Sequence, residues 1–279
     1  TPVVQGPESL EPELIQLDFV NAGPGVWSSG SAAAGEAIDS GIGPYSLSRL
    51  CRDAGGEYFA VPVSFSGAET LFGGTSAVGG TTYDRAVLRR YAPLYLPEEG
   101  YRKLTAENKA LAALVEAARL PRVDPRFDWP SEFMPSEENR FRRALDEAQQ
   151  PPARLMPRID KLYETLKAGE PDRDRLTEPR WQAGYDLAMG RAMAAKVRTE
   201  SFIAMLAVMK QGKSFADPKS TAWMIERADE ISVGSALDRL RQRAGECLQR
   251  VAREHPGTPW ADLAKRELSV PMGWRWGEK

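Results

Sequence analysis

The chain has 279 residues, a formal net charge of −2 and 27% charged residues, and 42% of its residues are hydrophobic. That balance suits one or two folded domains with a real core and excludes a strongly basic nucleic-acid binder or a polar disordered chain. One histidine and two cysteines exclude histidine-pair mechanisms and most zinc sites. The apolar run Ile203 to Met209 is far too short to cross a bilayer as a helix.

Charge divides the chain. Residues 1–75 hold nine acids and two bases, whereas the remainder holds 30 acids and 35 bases. Such asymmetry suggests separate units. The chain opens on Thr1, in a polar, turn-rich stretch, and the expectation there is a processing or fragment boundary. A terminal threonine with its own amine as base is the alternative. Leu14 to Val20 is apolar, lies between Pro12 and Asn21-Ala22-Gly23-Pro24, and predicts a strand. A small-residue loop, Gly23 to Gly43, follows. Pro44 then opens a helix whose face is Leu47, Leu50, Cys51 and Ala54, and which stops at Gly55-Gly56. The continuous run Tyr58 to Val63 reads as a strand covered on both faces, as in a parallel sheet, with Pro62 placing its end at an edge.

Residues 64–82 form a glycine-rich linker. Within it Gly73 to Gly80 approaches a nucleophile elbow around Ser76 but has Val78 where glycine is required, and no lysine follows to make a phosphate loop. From 83 to 279 the pattern is helical. Helices are predicted at 83–91, capped by Thr82, at 98–120, at about 137–149 and at about 154–167. An irregular aromatic arm (Phe127, Trp129, Phe133) spans 121–135. The strongest periodicity is Trp181, Tyr185, Ala188, Ala192, Ala195, Thr199, Phe202, Leu206 and Met209, alternating steps of four and three, with Pro179 before it and Gly212 after it. A second seam runs Val233, Leu237, Leu240, Ala244, Cys247 and Val251. Thr258 then caps a short last helix with Pro259 at its first position and Trp260, Leu263 and Ala264 inside. Antiparallel packing of these helices is the economical arrangement.

Gly43 to Phe59, with its pattern L-x-x-L-x-x-x-x-G-G before an aromatic strand, resembles the last helix and strand of a von Willebrand factor A-type (vWA) domain. The resemblance covers about residues 1–63. Arg180 to Arg191 and Glu254 to Ala261 resemble the carboxy-terminal region of large bacterial vWA-containing proteins, and the second segment is also similar to tetratricopeptide-type (TPR) repeats. The implied architecture is the end of an α/β, Rossmann-type sheet followed by a mainly helical, TPR-like bundle. An extracytoplasmic location is the one the resemblance favours. The family's metal fingerprint, D-x-S-x-S, is not in the chain, where Asp39-Ser40 is followed by glycine. No metal residue is carried over, and a divalent cation such as Mg is implied only together with an upstream D-x-S-x-S segment.

Among candidate chemical groups, His255 reads as a helix C-cap whose charged form meets the helix dipole. Asp172-Arg173-Asp174 begins like a calcium loop but has Thr177 where glycine is needed. Paired acids such as Glu98-Glu99 and Glu137-Glu138 point to different sides of a helix. Arg89-Arg90, Arg142-Arg143 and Arg239, Arg241, Arg243 are interspersed with acids, as on a solvated face, and no nucleic-acid motif accompanies them. Cys51 and Cys247 read as buried thiols. Tryptophans concentrate at contact sites, so the candidate partner-binding residues are Trp274, Trp276, Trp260, Trp181 and Tyr185. For the Trp274–Trp276 tail, docking back on the bundle is the equal alternative. The expected function is a non-enzymatic protein-interaction or scaffold module, its partner another protein, the upstream part of the same polypeptide or a second copy. The alternatives are a hydrolase using Ser76 or Thr1 and a self-assembling protein paired through 181–209.

Overall fold

The computed structural model of the protein describes residues 14–16, 37–39, 45–56, 83–94, 96, 98–121, 129–135 and 138–279. It is mainly helical, with a small three-stranded antiparallel sheet. Strand β1 (Leu14–Gln16) pairs antiparallel with β2 (Ala37–Asp39), Ile15 opposite Ile38. β2 thus lies inside the stretch read from sequence as one loop. Helix α1 (Tyr45–Asp53) ends at its glycines as expected: Gly55 N–H donates to the Arg52 carbonyl at 3.0 Å and Gly56 N–H to that of Cys51 at 2.6 Å. Its apolar side is not buried, and Leu50 is 65% exposed. The predicted strand Tyr58–Val63, the linker 64–82 with Ser76, Pro44, Phe127 and Thr1 lie outside the described residues.

Helix α2 (Arg85–Leu88) runs into a 3-10 turn, Arg89–Tyr91. Asp84 is seen to cap it, its carboxylate accepting from Ala86 N–H at 2.8 Å, while the expected cap Thr82 is outside the described residues. The single helix predicted over 98–120 is two, α3 (Glu98–Glu107) and α4 (Lys109–Arg119). Asn108 breaks it. Its backbone is extended (φ −138°, ψ 114°) and its side-chain oxygen accepts from the N–H groups of Ala110 and Leu111 at 2.9 and 3.1 Å. Asparagine competes poorly inside a helix and well at its start.

The arm brings in strand β3 (Glu132–Phe133), with Trp129 and Phe133 buried. Helix α5 (Glu138–Lys167) corrects a second expectation, because one helix passes through Pro151, Pro152 and Pro157 where two were predicted. An interior proline costs about 3 kcal/mol. The face Leu145, Ala148, Pro152, Leu155, Ile159, Leu162, Leu166 is buried and α5 packs on the next helix. At about 1.5–3 kcal/mol per large apolar side chain, that face offsets the prolines.

Helix α6 (Pro179–Lys210) is the axis of the molecule, flanked by α4, α5, α7 (Ser235–Glu254) and α8 (Pro259–Leu268). All nine residues of its predicted seam are buried. So are Ala183, Leu187, Met189, Met193, Ala194 and Val197 on its other sides, so the helix is enclosed where the heptad pattern implied one contact face. It stops at Gly212, whose φ of +90° is open to glycine but strained for other residues. At Gly190 a Cβ would stand 2.7 Å from the Leu248 side chain, and this missing atom lets α7 approach. Leu248 is the buried residue that the second predicted seam omitted, and Val233 of that seam precedes the helix. The last helix is as predicted: Thr258 accepts from Ala261 N–H at 3.3 Å, Pro259 takes the first turn, and Trp260, Leu263 and Ala264 are buried.

Strands β4 (Trp223–Ala228) and β5 (Gly273–Glu278) complete the sheet, in the order β3-β4-β5. Phe133 faces Trp223, Ile225 faces Trp276 and Arg227 faces Trp274 across the ladders. The helical reading of 83–279 missed this sheet. Alternation in Trp-Met-Ile-Glu and Trp-Arg-Trp was the available signal, but each run is short and its partner is distant in the chain.

Candidate functional site

The sheet lays its aromatic face on the C-terminal half of α6. Phe202 sits between Trp129, edge-on at 4.6 Å, and Trp274 at 4.9 Å between ring centres, and Trp223 stacks on Phe215 at 4.7 Å. The indole N–H of Trp274 donates to the Arg198 carbonyl at 2.9 Å, and that of Trp276 to the Met205 carbonyl at 3.0 Å. The C-terminal tail therefore docks back on the bundle. Arg227 lies on the same inner face, its guanidinium 3.9 Å from the Trp274 ring centre and 5.6 Å from that of Trp129. Its three side-chain nitrogens are buried without a hydrogen-bond partner. Burial pushes its pKa down to about 9, helped by the nearby Arg198 charge and opposed by Glu267.

Behind the sheet lies a buried ionic cluster. Arg191 and Arg198, two turns apart on α6, face Glu267 of α8, which is 3% exposed. Arg191 Nε is 3.1 Å from one Glu267 oxygen and Arg198 binds the other. Arg198 also donates to the carbonyls of Val270 at 2.9 Å and of Glu267 and Pro271 at 3.3 Å, fixing the turn that leads into β5. Burial pushes the Glu267 carboxyl up, but the two guanidiniums outweigh it and hold its pKa below the ordinary value. Further along α6, buried Asp186 accepts from Arg173 Nε at 3.0 Å and from Arg250 at 3.3 Å, joining the turn after α5 and helix α7.

A third cluster occupies the α7–α8 corner. Tyr91 stacks on Trp260 at 5.3 Å and shares a 2.9 Å hydrogen bond with Nδ1 of His255. Arg180 donates to the Tyr91 carbonyl at 3.0 Å and covers the Trp260 ring. His255 is the C-cap of α7, as expected, but it is 3% exposed and burial pushes its pKa down. Burial disfavours the charged ring at this cap, against the expectation that its charged form meets the helix dipole. Tyr185 donates to the Leu166 carbonyl at 2.6 Å, and burial, reinforced by Glu170 and Asp186, raises its pKa. Cys51 and Cys247 are both free, and burial pushes the Cys247 thiol up to about 11, which makes it a poor nucleophile.

Of the aromatic residues read from sequence as partner-binding, Trp181, Tyr185, Trp260 and Trp274 are all within 5% exposure and join elements of this chain, and Trp276 is half-buried. They do not converge on one surface: Trp274 and Trp276 belong to the sheet, whereas Trp181, Tyr185 and Trp260 belong to the α6–α8 core. Among the described residues, the large apolar side chains left exposed are Leu47, Leu50, Leu96, Met134 and Val208. Asp172 accepts from Lys109 N–H at 2.9 Å at the start of α4, and that bond, with Arg175, lowers its pKa against a small burial effect. It is a cap across two elements and not a calcium ligand set. Arg142 pairs with Glu138 at 2.9 Å, Arg241 with Asp238 at 2.8 Å and Arg243 with Glu170, as on solvated faces. Among the described residues, no three histidine, cysteine or acidic side chains group to hold a metal ion, and no helix is long and apolar enough to cross a membrane.

Comparison of the chain with protein-family models gives no match, and neither a search of curated proteins nor one of solved structures gives one.

Proposed function

We propose that the protein is a binding scaffold, in which a helical body holds an N-terminal α/β portion for contact with another protein or another part of the same polypeptide. One observation carries this reading: the interior ionisable groups Asp186, Arg191, Arg198 and Glu267 bind one another or neighbouring elements, and so act as joints between helices. A reaction centre holds such groups toward a substrate. The uncovered leucines of α1 support a contact role at the N-terminal end. They fit the resemblance of residues 1–63 to the end of a vWA-type domain, in which preceding chain would cover this helix.

The two alternatives have weaker support. The seam of 181–209 is filled by the chain's own helices, which counts against it as a surface for self-assembly. Thr1 and Ser76 lie outside the described residues. The test is a hydrolase panel run beside crosslinking of the purified chain with any segment that its gene encodes before Thr1 supplied in trans. Crosslinks from α1 with no turnover support the scaffold. Turnover that is lost in Thr1→Ala or Ser76→Ala, with no crosslink, overturns it.

A further inference from the structure

Residues 83–94 form a strap bolted across the α7–α8 corner. Tyr83 donates to Asp262 of α8 at 3.0 Å, Tyr91 bonds His255 and stacks on Trp260, and Arg180 of α6 holds the Tyr91 carbonyl. Tyr91 is 3% exposed, and its ring meets the His255 ring edge-on with centres 5.7 Å apart. The second ring nitrogen of His255, Nε2, is buried and has no hydrogen-bond partner among the described residues. A neutral imidazole accommodates this arrangement at a modest cost. An imidazolium does not, because both nitrogens must then donate and a buried N–H bearing positive charge is left without an acceptor.

We propose that the 83–94 strap is an acid-released latch, closed while His255 is neutral and opened by its protonation. The charges facing the ring do not abolish this preference. Glu254 on α7 and Asp186 on α6 favour the charged ring, whereas Arg173 in the turn after α5 and Arg90 on the strap oppose it. Asp186 is already bound by Arg173 and Arg250, and Glu254 lies within 3.9 Å of Arg173 and 2.9 Å of Arg253. Asp262 faces the strap through Tyr83, and Arg180 adds a further positive charge beside Trp260. The direction follows from linkage. Burial lowers the His255 pKa below its ordinary value of 6.5, and the Tyr91 ring set edge-on against the imidazole is part of that burial, so the imidazole of the undocked state binds a proton more tightly, and docking weakens as pH falls from that ordinary value through the lowered one. The latch goes beyond the scaffold reading: it would regulate how the N-terminal portion is held on the helical body, whatever that portion binds.

His255 is the only histidine in the chain, so its ring protons give an unambiguous NMR titration in the intact protein. Amide hydrogen exchange of 83–94, corrected for intrinsic rate, is followed in parallel between about pH 8 and about pH 5. The expected result is a His255 titration below the ordinary value and a several-fold rise in strap exchange that follows it, with α5 and α6 still protected. In His255→Asn, which keeps an acceptor near Nδ1 but cannot titrate, the strap should stay protected across the range. Tyr91→Phe keeps the stacking and should expose the strap already at about pH 8, with a flatter pH response. A His255 that titrates at its ordinary value, or strap exchange that rises in acid equally in wild type and His255→Asn, would overturn the latch. If His255→Asn does not fold, wild type and Tyr91→Phe decide it: equal pH response in the two sinks the proposal.

Discussion

Helices α6 and α7 pack side by side and carry similar kinds of charge, yet they use them differently. On α7 the pairs Arg241–Asp238 and Arg253–Glu254 sit at the surface, their side chains roughly a third to two thirds exposed. On α6, Asp186, Arg191 and Arg198 are buried among methionines and alanines. The same ion-pair chemistry has opposite consequences in the two places. In water a pair is screened and nearly optional, whereas in the interior each partner is required because the other has lost its hydration. Around α6, including its bond to Arg250 of α7, charge therefore specifies which helices meet; along the exposed face of α7 it adds solubility and little else.

That contrast is open to direct test, beginning with the largest effect. Glu267→Gln leaves Arg191 and Arg198 without their carboxylate and should cost about 3–5 kcal/mol in chemical denaturation. Its pH signature is distinctive. The carboxyl pKa is held below the ordinary value of 4.5 by the two arginines, so the wild-type contribution is complete above that ordinary value and disappears as pH falls through the lowered one. The variant should lose that part of the acid dependence. Gly190→Val drives a side chain into Leu248 and should cost about 1–3 kcal/mol, partly recovered in the double variant with Leu248→Ala, as a double-mutant cycle would show. Arg227→Met removes a buried cation that has aromatic faces but no hydrogen-bond acceptor. It should be neutral or raise stability by about 1 kcal/mol, and a clear loss of thermal stability would mean that the two indoles hold the charge more strongly than argued. Arg241→Ala, on the α7 surface, should shift stability by less than about 0.5 kcal/mol and vanish in high salt. If Glu267→Gln and Arg241→Ala had similar effects, the distinction between the two helices would fail.

How much was legible beforehand follows the same division. The seam from Trp181 to Met209, the Thr258-Pro259 start of α8 and the glycine stops after α1 and α6 are local patterns, and the structure has them where the sequence placed them. Local rules misled in α5, where prolines that should end a helix lie within it, and at Asn108, where a helical pattern hid a cap. The sequence left the Trp274–Trp276 tail open between a partner surface and docking on the bundle, because a free tail and an edge strand have the same composition; the Trp274 bond to the Arg198 carbonyl shows the docked arrangement. The ionic joints went unread altogether, since Glu267 and its arginines are ordinary surface residues by spacing, and nothing within a few positions marks them as buried.

By itself, the sequence determined the helical body, the buried seam of its longest helix and the start and stop signals of α6 and α8, because hydrophobic period and terminal hydrogen bonding act over a turn or two of chain. Only the tertiary structure decided that the tail closes a sheet over α6, that α5 continues through its prolines, that Arg191 and Arg198 share one carboxylate, and that His255 is buried under Tyr91. Each of these depends on groups far apart in the chain being taken out of water together, and desolvation is a property of the assembled interior that no local pattern encodes.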